Sequence, residues 1–306
     1  MRITLVHAGA LGDTILLLPL LRGLRLLNGG DSAHLTVVMR PAFGRLLVHL
    51  GVADTWASAE ESQYSTWFGD TGSAPCPDWA SCDLLLSAVS NGQDAWAGHA
   101  KAALAATTGG RLCCFSPRPP EDFADHVTAF QRQQLMAQGL RLPEVLAQEE
   151  RPVGVERVRN GAGLVFHPGS GGEVKCWLRE RFLKIVEWWE QERGEKPVCV
   201  LGEAELERWP REVLTRLEAQ VRVWRQPDLC ELADALAGAE LYLGNDSGIT
   251  HLAAAVGVST VVLFGPSNVR QWRPVGRRVR VLQAGGRGEM GSLTVDEVWV
   301  SVSEER

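Results

Sequence analysis

Short apolar runs that end in glycine-rich turns, each followed by an amphipathic or alanine-rich stretch, recur along the chain. Ile3 to His7 is one such run, Gly9 to Gly12 breaks it, Thr14 to Leu27 has the length and composition of a helix, and His34 to Met39 is β-branched and apolar again. A helical crossover between two strands implies a parallel sheet. The pattern continues with a buried-strand run at Asp83 to Val89, an alanine-rich helix at Asp94 to Thr107, a strand at Arg111 to Phe115 and a helix at Phe123 to Leu140. Between Trp56 and Pro77 no period stands out, and an irregular excursion bordering a site is expected there.

A second series starts after Leu142 to Gly161, a stretch of weak periodicity that reads as an interdomain connection. Strands are expected at Gly163 to His167, Pro197 to Leu201, Val221 to Trp224, Leu241 to Gly244 and Thr260 to Phe264, with helices at Arg179 to Glu192, Ala204 to Ala219, Leu229 to Ala237 and Thr250 to Val256. Thr294 and Glu297 have capping-box spacing ahead of a last short helix. The fold expected is α/β: two doubly wound domains, residues 1–155 and 156–306, facing one another across a cleft. Ligands in such sheets sit beyond the carboxyl ends of the strands, which directs attention to the turns there.

Composition narrows the classes. The 306 residues are 45% hydrophobic and 22% charged, with a net charge of -6 and no run of like charge, so disorder, coiled coil and a general nucleic-acid binder are disfavoured. The seven cysteines fit neither a disulfide framework nor a zinc motif; they read as reduced thiols of a cytosolic protein, with no metal expected. The longest apolar stretch, Ile15 to Leu21, falls far short of the ~20 residues that span a bilayer. Asp13 interrupts any signal-peptide pattern, so a cytoplasmic location is expected.

Three turns could carry chemistry. The first, Gly9-Ala10-Leu11-Gly12-Asp13, lacks the spacing of a dinucleotide fingerprint, but Gly9 and Gly12 would let a substrate approach the backbone. Asp13 has two readings: a helix N-cap worth roughly 0.5 to 2 kcal/mol, or a general base that takes a proton from an attacking hydroxyl. The second turn runs from His167 to Gly172, with Lys175 and Trp177 just beyond. Its glycines expose amides, Ser170 adds a hydroxyl and Lys175 a positive charge, as in a phosphate cradle, though the P-loop spacing is absent and a solvated surface turn is the bland alternative. Trp177 reads as core. In the third turn, Gly244 to His251, Asp246 or Ser247 would cap a helix, Gly248 leaves its start open, and His251 is either a structural histidine or a ligand. A helix start attracts anions, phosphate among them. Ser247 with His251 makes no hydrolase pair without a nucleophile elbow.

Together the turns resemble glycosyltransferase family 9, the ADP-heptose:lipopolysaccharide heptosyltransferases. The resemblance rests on GALGDTILLLPLLRGLR (Gly9 to Arg25), FHPGSGGEVKCW (Phe166 to Trp177) and LYLGNDSGITHLAAAVGVSTVVLFGPSN (Leu241 to Asn268), with WRPVG at Trp272 to Gly276. It implies two Rossmann-like domains in the GT-B arrangement, the acceptor held by the first and the nucleotide-sugar by the second. It also implies Asp13 as catalytic base, Ser170 and Lys175 at the donor phosphates, Asp246, Ser247, Gly248 and His251 around the diphosphate, and Glu203 near the nucleoside.

The activity so implied is inverting, metal-independent transfer of a sugar, heptose foremost, from an ADP-sugar to a glycan or glycolipid acceptor such as lipopolysaccharide core. No further cofactor is implied. A monomer is expected, with at most peripheral contact with the inner membrane. Two alternatives stay open: a nucleotide-sugar-binding homologue without transfer, and a GT-B-fold sugar-nucleotide epimerase. One feature runs against an anionic acceptor, because residues 1–150 hold 10 Lys plus Arg against 15 Asp plus Glu. A local patch from Arg40, Arg45, Arg111 and Arg118 would still suffice, since charges act over a ~8 Å screening length.

Overall fold

The computed structural model describes residues 1–27, 33–61, 65–69, 76–142, 153–154 and 161–305. The chain divides into two compact units, Met1–Glu149 and Glu150–Arg306. The expected boundary between residues 155 and 156, and most of the expected connection, lie outside the described residues.

The first unit is a five-stranded parallel sheet of β1 (Arg2–Val6), β2 (His34–Met39), β3 (Thr55–Ser58), β4 (Leu84–Ser87) and β5 (Arg111–Cys114), in the order β3-β2-β1-β4-β5. Central β1 is buried on both faces from Ile3 to Val6, which is why its sequence is apolar there except for the buried Thr4. The chain winds outward from β1 to β3 and returns to β4 on the other side, so the winding reverses between β1 and β4.

Two expectations are corrected here. The helix expected from Thr14 to Leu27 is two, Leu11–Ile15 and Leu18–Arg25. Pro19 has no N–H to give to Ile15, and its ring opposes continuation, so the chain stops and restarts with proline in its first turn. The stretch after Trp56 is not wholly irregular: Thr55–Ser58 pairs with β2 as an edge strand, Thr36 opposite Thr55. The helix Pro41–His49, which periodicity did not single out, connects them.

The second unit is a six-stranded parallel sheet of β6 (Leu164–His167), β7 (Val198–Leu201), β8 (Arg222–Arg225), β9 (Leu241–Asn245), β10 (Ser259–Phe264) and β11 (Val279–Gln283), in the order β11-β10-β9-β6-β7-β8. Its winding reverses between β6 and β9, where Phe166 stands opposite Leu243 and His167 opposite Gly244. The expected helix from Ala204 to Ala219 is again two, Glu203–Arg208 and Arg211–Gln220, divided at Trp209 and Pro210 for the same reason as at Pro19. One side of the sheet packs on the helix Arg179–Arg193 through Phe166, Phe182 and Trp189, with Trp177 set edge-on to Phe182 at 5.1 Å. Trp177 is 1% exposed and donates its indole N–H to Leu293 O, so it is core, as read. The capping box at Thr294 and Glu297 is present.

Candidate functional site

The second and third turns follow β6 and β9, the adjacent strands at which the second sheet reverses. The topology thus brings together residues some 75 positions apart in sequence, Lys175 and Asp246 being separated by 71. Asn245, at the end of β9, fastens the two turns. Its Oδ1 accepts from the Trp177 amide at 3.0 Å and its Nδ2 donates to Pro168 O at 2.8 Å. The Ser170 hydroxyl donates to Asp246 O at 2.6 Å, a second tie between the same loops.

Within this frame Lys175 Nζ donates to Asp246 Oδ2 at 2.9 Å. Ser247 is the N-cap of the helix Gly248–Val256, its hydroxyl accepting from Thr250 N at 3.4 Å, which settles the choice between Asp246 and Ser247. His251 lies one turn in, 5% exposed, with Nε2 3.9 Å from Asp246 Oδ1. Asp246 therefore stands between the lysine and the histidine. An anion arriving at this helix start meets amides without intrahelical partners, a partial positive charge and an ammonium group. Asp246, itself negative, suits the role of holding Lys175 better than that of touching phosphate.

Two buried groups underlie the loop. Glu203 is exposed at the start of its helix, whereas Glu205 is buried and accepts from Gly202 N at 2.8 Å. A Cβ on Gly169 would stand 1.8 Å from Glu205 Oε1, so the loop backbone rests directly on this carboxylate. His167, beside it, donates from Nδ1 to Val200 O at 2.9 Å; burial holds its pKa below the ordinary value, against the pull of Glu205. Sequence reading missed Glu205 and Asn245. The run Gly202-Glu203-Ala204-Glu205 carries the signal for the first, since glycine with glutamate three residues on is a helix-start pattern.

In the first unit, the turn after β1 places Asp13 as the third residue of the helix Leu11–Ile15, not as its cap. Its Oδ2 accepts from the Ala10 amide at 3.2 Å and from Arg118 Nη2 at 2.7 Å. The Asp13 side chain is 13% exposed and that of Arg118 66%. Gly9 and Gly12 both precede this carboxylate in sequence. Gly9 is required at its position, because a Cβ there would come within 2.5 Å of His7 Nε2 and 2.8 Å of Asp13 Cβ. Of the four arginines expected to form a basic patch, Arg118 is the one the structure joins to Asp13.

Among the described residues, no group of three or more His, Cys, Asp or Glu side chains could hold a metal ion. No described helix is long and apolar enough to cross a membrane.

The sequence model of glycosyltransferase family 9 (heptosyltransferase) matches residues 128–296, more than half of the chain, including both turns of the second unit. The chain is 29% identical over 136 residues to lipopolysaccharide heptosyltransferase 3 of Escherichia coli K12, 42% of this chain and 38% of that protein. That alignment thus spans well under two thirds of the curated relative. Among solved structures, the family 9 glycosyltransferase of Veillonella parvula superposes with a TM-score of 0.72 at 18% identity, covering 99% of this chain and 96% of the other. E. coli heptosyltransferase WaaC with ADP superposes with a TM-score of 0.69 at 17% identity, covering both chains fully at 100%. At such identities these likenesses speak for the fold, two parallel-sheet α/β units as in the GT-B heptosyltransferases. By the extent of the family match, the chain belongs to glycosyltransferase family 9, the heptosyltransferase family.

Proposed function

We propose that the protein is an inverting, metal-independent glycosyltransferase that moves heptose from ADP-heptose to a glycan acceptor of the lipopolysaccharide core. The observation that carries this reading is the juxtaposition at the β6/β9 reversal, where Lys175, held by Asp246, stands at the start of the helix Gly248–Val256, an arrangement suited to an anion. WaaC, of the same fold, holds ADP. Lipopolysaccharide heptosyltransferase 3 supplies the acceptor class.

When the bond from sugar to diphosphate breaks, negative charge grows on the leaving oxygen. On this reading Lys175 and the helix amides are fixed in place to meet it, the electrostatic contribution that often outweighs all others. The diphosphate competes with Asp246 for the lysine, replacing one anion by another at little cost in desolvation. Asp13 takes the proton of the acceptor hydroxyl as that oxygen attacks the anomeric carbon from the face opposite the leaving group, which inverts the configuration. General-base help of this kind is worth ~10²- to 10⁴-fold. Arg118, largely exposed, turns from Asp13 to an anionic group of the acceptor, and this frees the carboxylate oxygen for the hydroxyl. The acidic balance of the first half is no obstacle, because the cation nearest Asp13 governs over a ~8 Å screening length. On this reading the enzyme works as a monomer in the cytoplasm, on a glycolipid at the inner membrane surface.

Thermal shifts with ADP, UDP, GDP and their sugars test the donor. ADP and ADP-heptose at 100 times their dissociation constants should each stabilise by ~2.7 kcal/mol. Binding with no transfer to any lipopolysaccharide-core acceptor would favour a homologue that has lost catalysis; preferential stabilisation by UDP would overturn the donor assignment.

A further inference from the structure

Next to Asp13 lies an imidazole that the chemistry above does not use. His7 directly follows β1 and is 1% exposed, and neither ring nitrogen has a hydrogen-bond partner among the described residues. A buried donor left unsatisfied is destabilising, a cost that an apolar side chain of like volume would not carry. The ring packs against Gly9 on the side that also faces Asp13, so no side chain separates imidazole from the aspartate side chain there. The charged groups that face the imidazole are Asp13, from the helix Leu11–Ile15, and Arg118, from the segment after β5. Burial, stronger than the attraction of Asp13, lowers the His7 pKa to about 4, so the ring is neutral near pH 7 and keeps one N–H to give. Both hydrogen bonds to the Asp13 carboxylate among the described residues go to Oδ2.

We propose that His7 is a positioning residue for Asp13: its imidazole N–H takes up a carboxylate oxygen of Asp13 when Arg118 turns to the acceptor, and so keeps the base aimed at the attacking hydroxyl. The assignment rests on Asp13 being the base. It explains why a polar ring sits where nothing else satisfies it, and why Gly9 leaves open the space shared by the ring and the Asp13 side chain. Loss of the donor should mislead the base without touching the nucleotide.

The test compares kcat, the KM for ADP-heptose and ADP affinity in His7→Leu, which fills the space without a donor, and His7→Gln, which keeps an N–H. His7→Leu should lower kcat by about 10- to 100-fold, in the range expected for a misplaced catalytic group, with ADP affinity and donor KM unchanged. His7→Gln should recover most of that loss. If His7→Leu does not fold, His7→Phe takes its place. A kcat near that of the wild type in the donorless variant, or an equal loss in His7→Gln, overturns the proposal. Asp13→Asn is assayed alongside. If it retains wild-type turnover, the base reading itself fails; if it abolishes transfer while the donorless variant is normal, the role of His7 alone fails.

Discussion

Lys175 Nζ lies 2.9 Å from Asp246 Oδ2, with the lysine side chain 38% exposed and the aspartate 8%. The carboxylate is thus the fixed member of the pair and the ammonium the one able to follow a ligand. Hydrogen bonds to charged groups contribute ~1.5–3 kcal/mol. Lys175→Met should therefore weaken ADP binding about 10- to 100-fold by titration calorimetry, and should also lower the melting temperature, because the nearly buried Asp246 carboxylate loses its partner. Wild-type affinity in this variant would remove Lys175 from the donor site.

Asn245 should matter to fold and ligand together. Asn245→Ala leaves the Trp177 amide and Pro168 O without their partner, at a cost of about 1–3 kcal/mol. Asn245→Asp keeps the acceptor for Trp177 but sets a carboxylate oxygen against Pro168 O, and should be the more damaging. Chemical denaturation gives the order; equal stability of aspartate and asparagine at this position would contradict the geometry.

Gly169 and Gly171 make a contrast within one loop. A Cβ on Gly169 would stand 1.8 Å from Glu205 Oε1, whereas one on Gly171 meets nothing within 4 Å. Glu205 cannot swing aside without giving up its bond to Gly202 N. Gly169→Ala is expected to cost about 1–3 kcal/mol as overpacking does, and to weaken ADP binding. Gly171→Ala should be close to neutral in the same melting experiment.

His7 gives a pH signature in stability. Its pKa falls from 6.5 to about 4 on folding, so between these values the unfolded chain binds a proton that the folded chain refuses. The stability from the neutral ring is present above pH ~6.5 and is lost as pH falls toward ~4, by about 3 kcal/mol in full. His7→Gln has no such titration. The stability of the wild type relative to His7→Gln should fall across that window, and a difference that stays flat would show that the ring is not held neutral. Buried His167 acts in the same direction in both proteins and cancels in the comparison.

Much of this was legible in the sequence because period and punctuation agree. The strands at the two reversal points, β1 and β6, are short apolar runs ending in glycine turns, and the residues after them are those expected to act. Pro19 and Pro210 are plain in the sequence, yet the apolar period continues across each of them and masks the break in the helix. Asp13 as third helical residue rather than cap depends on where the turn closes, a matter of one or two residues that composition does not fix. His7 and Arg118 carried no signal as partners of Asp13. Arg118 is 105 positions distant, and only the sheet order sets the loops after β1 and β5 where these side chains meet. Glu205 rather than Glu203 is buried for a similar reason: which of two nearby acids faces inward depends on the helix start, set by Gly202.

Transfer from a nucleotide-sugar with Asp13 as the base underlies the roles proposed for Lys175, Arg118 and His7. Its most direct test is a single-turnover assay with ADP-heptose and a lipopolysaccharide-core acceptor, following heptosylated product by mass spectrometry for the wild type and Asp13→Asn, with ADP affinity measured on the same preparations. The wild type should form product, and Asp13→Asn should form it at least ~10²-fold more slowly while binding ADP as tightly. Product formation by Asp13→Asn at the wild-type rate, or no product from the wild type with ADP-heptose fully bound, would contradict it.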